Sequence, residues 1–125
     1  MSCWAEKYQG LRAEPTLELN CMGYVRRILR EEFRREFPGF LGGMRLAARG
    51  LPFPLRPVKR LRDGTVIVCG NAENPVRHIG IYCLAADRVV HADTDATPIG
   101  RVRLEPMFRL KHDWPLVSYW EVVSA

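Results

Sequence analysis

The spacing of apolar residues changes once along the chain, and this change limits the folds that the chain can adopt. Apolar residues at helical intervals predict a helix from about Cys21 to Phe37, which Pro38 and Gly39 end. Its apolar face consists of Met22, Val25, Ile28, Leu29, Phe33 and Phe37. From Asp63 onward the apolar residues occur in short runs with a period of two. Helices followed by strands predict an α+β fold, in which this helix packs on an antiparallel β-sheet meander.

The other predicted elements are short. Ser2 to Gln9 is expected to form a first helix, and Gly10 to Leu19 a loop. Residues 39–57 hold four glycines and three prolines, so they are expected to be irregular apart from a short helix at Met44–Ala48. The predicted strands are Thr65–Cys69, Val76–Cys83, Arg88–Ala92, Ile99–Leu104 and Val117–Val123.

Length and charge narrow the range of functions. A length of 125 residues suits one domain, so residues 1–125 are expected to form a single unit. The formal net charge of +5 favours an anionic partner: nucleic acid, a membrane surface or a carboxylate-rich polymer such as cell wall. Arginines and glutamates alternate on the predicted helix, which is typical of a solvated face. Because no strand combines basic and aromatic residues on one face, nucleic acid is not expected as a partner.

The N-terminal residues and the cysteines indicate the compartment. The N-terminus lacks the apolar core of a signal peptide, and no stretch approaches the ~20 apolar residues of a membrane helix. We therefore expect synthesis in the cytoplasm and no membrane insertion. The four cysteines, Cys3, Cys21, Cys69 and Cys83, match neither a CxxC pair nor the spacing of a zinc site. Neither a metal site nor a disulfide framework is expected.

Cys21 is a candidate nucleophile because of its position. It follows Asn20, a good helix N-cap residue, and begins the strongest predicted helix of the chain. Unpaired backbone N–H groups and the positive end of the helix dipole favour a thiolate there, and the thiolate is the nucleophilic form of cysteine. The pKa of Cys21 is therefore expected to be low. The alternative interpretation is a buried structural cysteine, since free cysteines are often buried.

His78 is a candidate base because of the residues that share its face of the predicted strand. One face of the predicted strand carries His78, Gly80 and Tyr82, and the other carries Ile79, Ile81 and Cys83. The second set is a plain core face, whereas a titratable ring, a glycine and a phenol are unusual for a core. The glycine is expected to leave space over the imidazole, as a substrate groove needs. The alternative is a solvent-facing side with an ordinary histidine.

Strand parity brings His91 into the same group. A four-residue hairpin loop at Leu84–Asp87 puts Gly80 opposite His91, so that His91 is the diagonal neighbour of His78 on one face. A polar group in that position can orient a catalytic histidine. Alternative orienting carboxylates are Asp93 and Asp95.

The segments around these residues resemble the motifs of NlpC-like cysteine peptidases. Residues 20–25, Asn-Cys-Met-Gly-Tyr-Val, resemble the Asp-Cys-Ser/Trp-Gly-Leu-Val signature around the nucleophile of that family. Residues 78–82 resemble its His-Val-Gly-Ile-Tyr strand, and residues 89–92 resemble its Val-Ile-His-Ala strand. The order Cys, His, His is also that of the family. Residues 4–11 and 25–38 look like the N-terminal helix and the nucleophile helix of the tail-tip peptidases of tailed phages and prophages.

The resemblance implies a papain-like fold and hydrolysis of peptidoglycan stem peptides between D-glutamate and a diamino acid. Cys21 would be the nucleophile, His78 its base and His91 the third, polar residue of the triad. The backbone N–H of Cys21 would stabilise the oxyanion. The reaction needs neither a metal nor an organic cofactor. Other phage tail-tip proteins are the implied partners, and the virion tail or the periplasm is the implied destination.

The chain departs from the family pattern around the cysteine. The family has a Pro-Tyr followed by a Gly-Gly loop there, whereas this chain has a shorter segment with Arg12-Ala13 in place of Pro-Tyr. Tyr8 is a candidate replacement for the missing tyrosine, and Asn20 replaces the usual aspartate. Two alternatives follow: an inactive structural component of a phage tail or injection device, or another thiol transferase or amidase on this scaffold, such as an antibacterial amidase effector.

The substrate-contacting candidates and the residues assigned to structure complete the prediction. Substrate or oxyanion contacts are assigned to Asn20, Tyr8 and Gly80. Core roles are assigned to Trp4, Phe108, Trp114, Tyr119 and Trp120, and to the cysteines Cys69 and Cys83. His112 is expected in a solvated loop and Cys3 in a mobile terminus.

Overall fold

The helix that begins at Cys21 forms where the sequence predicts it, but it ends earlier than predicted. The computed structural model describes residues 3–16, 18–37, 55–94 and 100–122. Helix α1 spans Cys21–Phe33, and the side chain of Asn20 caps it by accepting a hydrogen bond from the Gly23 N–H at 2.8 Å. Arg34 then adopts a left-handed conformation with φ 52°, and Arg35 donates its N–H to the Leu29 carbonyl. This C-terminal cap stops the helix before Pro38, so the predicted end at Phe37 is wrong.

Six strands and two short helices make up the rest of the described chain. The strands are β1 (Leu55–Val58), β2 (Val66–Gly70), β3 (His78–Cys83), β4 (Arg88–Asp93), β5 (Arg101–Glu105) and β6 (Leu116–Val122). A 3-10 helix spans Trp4–Lys7 and helix α2 spans Met107–Asp113. The predicted helix at 44–48 lies outside the described residues. The molecule is thus an α+β fold, with α1 packed on a six-stranded antiparallel sheet and a short C-terminal helix.

The sheet extends the predicted meander at one side. Its strand order is β1-β6-β2-β3-β4-β5, so β2 to β5 form the meander and β6 returns beside β2. The sequence did not predict β1, because Pro57 interrupts its pattern; β1 is an edge strand, where proline is tolerated. It also did not predict α2, whose seven residues make too few turns for a helical period to stand out.

The register of β3 against β4 confirms the predicted hairpin. Cys83 pairs with Arg88 across the loop at residues 84–87, and Ile81 pairs with Val90. Asp87 closes the turn with φ 50°. The predicted division of side chains is also confirmed: the face toward α1 carries Ile79, Ile81, Cys83, Val90 and Ala92.

The opposite face of the sheet is a second apolar layer rather than an open groove. Tyr82 and Val89 are buried there with Leu110 of α2. Additional members of this layer are Ile67, Cys69, Leu61, Met107, Trp114, Val117 and Tyr119. His78 and His91 lie at the end of this covered face, where the Trp114 ring of the apolar layer stacks on His78. Among the described helices, none is long and apolar enough to cross a membrane.

Candidate active site

One pocket contains all three residues of the predicted triad. It lies where the N-terminus of α1 meets the beginning of β3 and the end of β4. Its lining residues are Asn20, Cys21, Arg77, His78, His91, Ala92, Asp93, Thr94, Glu105, Asp113 and Trp114. The fold therefore brings Cys21, His78 and His91 to a common cavity, although they are separated by up to 70 positions in the chain.

The sulfur of Cys21 is largely buried at the start of α1. The backbone N–H groups of Ile79, Met22 and Cys21 itself face the sulfur and lower the pKa of the thiol, but burial outweighs them and raises it. The expectation that the helix start gives Cys21 a low pKa is therefore wrong. The contact with Ile79, which follows His78 in β3, places the thiol at the beginning of this strand.

His78 and His91 form a hydrogen-bonded pair across β3 and β4. The Nε2 atom of His78 lies 2.8 Å from the Nδ1 atom of His91, and the two rings meet edge to face with centroids 4.9 Å apart. Burial, assisted by the neighbouring His91, lowers the pKa of His78 to about 4. The imidazole of His78 is consequently neutral at physiological pH.

Glu105 extends this pair to a chain of three groups, which sequence reasoning missed. Its Oε1 atom lies 3.0 Å from the Nε2 atom of His91, and its Oε2 atom lies 3.7 Å from the Nε atom of Arg109. The hydrogen bond with His91 lowers the pKa of Glu105. The predicted alternative Asp93 lines the pocket but forms an ion pair with Arg103, and Asp95 lies outside the described residues.

Trp114 is a second pocket residue that the sequence did not reveal. Its ring stacks on the imidazole of His78, with centroids 5.8 Å apart and an angle of 9° between the planes. Trp114 packs against the second apolar layer, in line with its predicted core role, but it is only half-buried and also lines the cavity. A tryptophan two residues before a strand carries no signal of this role, because the contact depends on how α2 packs.

The hydrogen bond with His91 uses only one of the two ring nitrogen atoms of His78. Within the described ranges, Nδ1 of His78 has no hydrogen-bond partner, and no hydrogen bond joins His78 to the sulfur of Cys21. Every fully buried side-chain nitrogen and oxygen atom of the described residues does have a partner, so Nδ1 is not sealed from the cavity. His78, whose Nδ1 atom has no partner among the described residues, and Cys21 thus line the same pocket, and no hydrogen bond joins their side chains.

Of the three residues that were predicted to contact the substrate or the oxyanion, only Asn20 lines the pocket. Asn20 lines the pocket while its side chain caps α1. Tyr8 does not line it, since its ring is 1% exposed and its hydroxyl donates to Glu32 at 2.7 Å. Gly80 does not leave a groove either: a Cβ atom there would lie 2.8 Å from the Val90 carbonyl oxygen. The small residue is needed because β4 approaches closely.

The remaining assignments divide between core and surface. Trp120, Cys69 and Cys83 are buried, and Trp4 and Tyr119 pack against the core, as predicted. The His112 side chain is 80% exposed, as predicted, but it lies in the last turn of α2 and not in a loop. Phe108 is 73% exposed and is not a core residue. Cys3 is not part of a loose terminus, because its sulfur lies 2.8 Å from that of Cys83.

The described residues contain no group of three or more histidine, cysteine or acidic side chains arranged to hold a metal ion. His78, His91 and Glu105 instead form a linear chain of hydrogen bonds that is suited to proton transfer. Comparison of the chain with protein-family models, with curated proteins and with solved structures finds no match.

Proposed function

We propose that this protein is a cysteine peptidase with a papain-like fold that hydrolyses amide bonds of peptidoglycan stem peptides. The observation that carries the proposal is the pocket in which the thiol of Cys21 lies beside His78, while His91 is hydrogen-bonded to the far side of the same imidazole. A nucleophile, a base and an orienting group are the three roles that covalent catalysis of acyl transfer requires.

In the proposed reaction the thiol of Cys21 and the imidazole of His78 are both neutral before they react with the substrate. As the sulfur of Cys21 attacks the amide carbonyl, its proton passes to Nδ1 of His78, and the backbone N–H of Cys21 donates to the developing oxyanion. The imidazolium of His78 then protonates the leaving amine, and a thioester remains on Cys21. Water attacks the thioester with His78 as base, and this step releases the acid and restores the thiol. His91 holds Nε2 of His78 throughout.

The substrate class comes from the resemblance of residues 20–25, 78–82 and 89–92 to the NlpC-like motifs. On that basis the scissile bond joins D-glutamate to a diamino acid, and the protein acts at the tail tip of a phage or a prophage-derived particle, or in the periplasm. The net charge of +5 is consistent with a polymer rich in carboxylates.

A second candidate function is an inactive structural component with the same fold. The electrostatics of the pocket favour it: burial raises the pKa of the Cys21 thiol and lowers that of His78 to about 4, and both shifts disfavour transfer of the thiol proton to the imidazole at neutral pH. An enzyme with this resting state must obtain its driving force from substrate binding, or it is slow.

Digestion of isolated peptidoglycan by purified protein, with mass spectrometry of the released muropeptides, tests the proposal. The wild type should release fragments cut within the stem peptide, Cys21→Ala should release none, and Cys3→Ala, which changes a cysteine outside the pocket, should retain activity. A cut between the sugar and the stem peptide would instead indicate an amidase effector. If the wild type and Cys21→Ala both leave the wall intact, the result favours the inactive structural component over the peptidase.

A further inference from the structure

We infer that Glu105 is a positioning residue of this pocket, whose carboxylate fixes the tautomers of both histidines and so leaves Nδ1 of His78 able to accept a proton. The inference rests on the proposed function, because it explains how the base of that reaction is kept in its reactive form.

The backbone puts Glu105 in this position. His91 pairs with Arg103 across β4 and β5, and Glu105 lies two residues beyond Arg103 on the same face of β5. Its side chain is 20% exposed, and its two oxygen atoms face His91 and Arg109. The hydrogen bond with His91 and the nearby guanidinium of Arg109 favour the ionised form of the Glu105 carboxylate. An ionised carboxylate can only accept, so the Nε2 atom of His91 must carry the proton that it donates.

The proton positions then follow from one bond to the next. When its only proton is on Nε2, His91 has a lone pair on Nδ1, which can only accept from Nε2–H of His78 at 2.8 Å. Neutral His78 with its proton on Nε2 has a lone pair on Nδ1, the nitrogen that has no partner among the described residues. Through two hydrogen bonds, the Glu105 carboxylate therefore determines that Nδ1 of His78 is unprotonated, and this is the atom that would receive the proton of Cys21.

Without the carboxylate the same two rings could bond in the opposite sense. His91 would then donate from Nδ1 to Nε2 of His78, and His78 would carry its proton on Nδ1 and could not act as a base. The geometry of the rings does not distinguish the two senses, whereas an ionised acceptor at the end of the chain does. This dependence is the reason for assigning a role to Glu105 rather than to His91 alone.

The test compares Glu105→Gln with Glu121→Gln. Both glutamates are on strands, form an ion pair with an arginine and have similarly exposed side chains, 20% and 23%, but Glu121 lies outside the pocket. Long-range proton–nitrogen NMR of protein with ¹⁵N-labelled histidine reports the tautomer of each ring at pH 7. Hydrolysis of stem peptides gives kcat and KM for the same samples, and Glu105→Asp measures how far a shorter carboxylate restores both.

We expect the wild type and Glu121→Gln to carry Nε2–H on His78 and His91. In Glu105→Gln the preference should be lost, and kcat should fall by about tenfold or more with little change in KM, since replacing the carboxylate behind a catalytic histidine by an amide costs up to about 10⁴-fold in a serine-protease triad. Glu105→Asp should recover part of the loss.

Two results would overturn the inference: Nδ1–H on His78 in the wild type, or unchanged tautomers in Glu105→Gln. The NMR measurement does not depend on turnover. If the wild type has the expected tautomers and Glu105→Gln alters them while no variant hydrolyses stem peptides, the role of Glu105 stands and the proposed function fails.

A separate observation concerns the sulfurs of Cys3 and Cys83, which lie 2.8 Å apart at the other end of β3. This distance is shorter than the contact distance of two unbonded sulfur atoms. Trp4, next to Cys3, donates its indole N–H to Asp63, which also accepts the N–H of Leu84, so the N-terminal segment is held on the β3–β4 hairpin. The two thiols are thus positioned by contacts that do not involve them.

We propose that Cys3 and Cys83 form a disulfide when a low-molecular-weight disulfide such as oxidised glutathione is present. Half-buried Cys3 attacks the oxidant first, forms a mixed disulfide and releases one thiol; the Cys83 thiolate then attacks the Cys3 sulfur and releases the second thiol. Overall, two protein thiols become one disulfide and the oxidant becomes two thiols. The bond would close a loop of about 80 residues, which strongly restricts the unfolded chain.

Incubation in oxidised and reduced glutathione, alkylation of remaining thiols and peptide mapping test this second proposal. The oxidised protein should contain a Cys3–Cys83 cross-linked peptide, and its Tm should rise by about 10 °C or more relative to the reduced protein. Cys3→Ser should show neither change. An unchanged Tm, or cross-links that involve Cys21 or Cys69 instead, would contradict it.

Discussion

The Nε2 atom of His78 and the Nδ1 atom of His91 lie 2.8 Å apart on neighbouring strands, with their rings nearly perpendicular at 87°. The approach is this close because the residues are diagonal neighbours on one face, with Gly80 opposite His91. The arrangement uses one nitrogen of each ring for the pair and leaves the other nitrogen of His78 for the pocket. In the proposed mechanism, this arrangement would separate the orienting role of His91 from the proton-accepting role of His78.

The buried imidazole of His78 should make the protein sensitive to acid. Its pKa is about 4 in the folded protein and about 6.5 in an unfolded chain, so between these values the unfolded state binds more protons. The free energy of unfolding should thus be unaffected by His78 above pH 6.5 and fall below it, by up to roughly 1.4 kcal/mol per pH unit until pH 4. Urea unfolding at pH 7, 6 and 5 measures the slope.

His78→Asn should flatten that slope, whereas His112→Asn, which replaces an exposed histidine, should leave it as in the wild type. Equal slopes in the wild type and in His78→Asn would mean that the pKa of His78 is the same in the folded protein and in the unfolded chain.

The thiol of Cys21 should react slowly with iodoacetamide at neutral pH. Burial raises its pKa, so the thiolate fraction is small at pH 7 and rises only as the solution becomes more alkaline. The rate of alkylation of the Cys21 peptide should therefore increase steadily from pH 7 to pH 9.5, and it should stay below that of glutathione. A fast rate that is constant between pH 5 and pH 8 would reveal a preformed ion pair with His78.

The cap of α1 should contribute to stability independently of catalysis. Asn20 accepts the Gly23 N–H, which would otherwise be unpaired at the start of the helix. Asn20→Ala should lower the free energy of unfolding by about 1 kcal/mol, and Asn20→Ser should lower it much less, because serine also caps well. Chemical denaturation of the three proteins gives the comparison. Equal losses for both variants would indicate that the pocket-facing role of Asn20, not its cap, matters.

Local sequence was enough to predict the parts of the site that depend on neighbouring residues. The N-cap at Asn20 and the position of Cys21 follow from the start of one helix, and the pairing of His78 with His91 follows from the length of one hairpin loop. In each case the deciding contact spans few residues, so period and loop length fix it.

The parts that were missed depend on how distant elements meet. The register of β5 against β4 brings Glu105 to His91, but the connection between these strands has no turn signature that fixes it. Trp114 reaches His78 only because α2 covers the sheet. The pKa of Cys21 was predicted in the wrong direction for the same reason: the helix dipole is visible in the sequence, whereas burial by the folded chain is not.

Trp114 should influence catalysis through its cover of the base. Its ring stacks on His78 at 5.8 Å, excludes water from one face and restricts rotation of the imidazole. Trp114→Ala should lower kcat by about 10- to 100-fold, since a misplaced base loses its alignment with the thiol, and should bring the pKa of His78 back toward 6.5. Trp114→Phe should retain most of the activity. A change confined to KM would mean that Trp114 contacts the substrate only.

Gly80 provides the sharpest test of the packing that holds the histidine pair. A Cβ atom at this position would lie 2.8 Å from both the Val90 carbonyl oxygen and the Cγ1 atom of Val89, and 3.1 Å from the Cβ atom of His91. Because one of these atoms is backbone, Gly80→Ala must push β4 away from β3, which should cost about 1–3 kcal/mol of stability. The same movement should lengthen the bond between the two imidazoles. Histidine NMR of the variant should therefore show loss of the fixed tautomers even where the protein remains folded.

Adding Val89→Ala removes the side-chain clash but not the backbone one, so the double variant should recover only part of the stability. Full recovery, or a Gly80→Ala protein with unchanged stability and tautomers, would show that β3 and β4 are not in such close contact at this point.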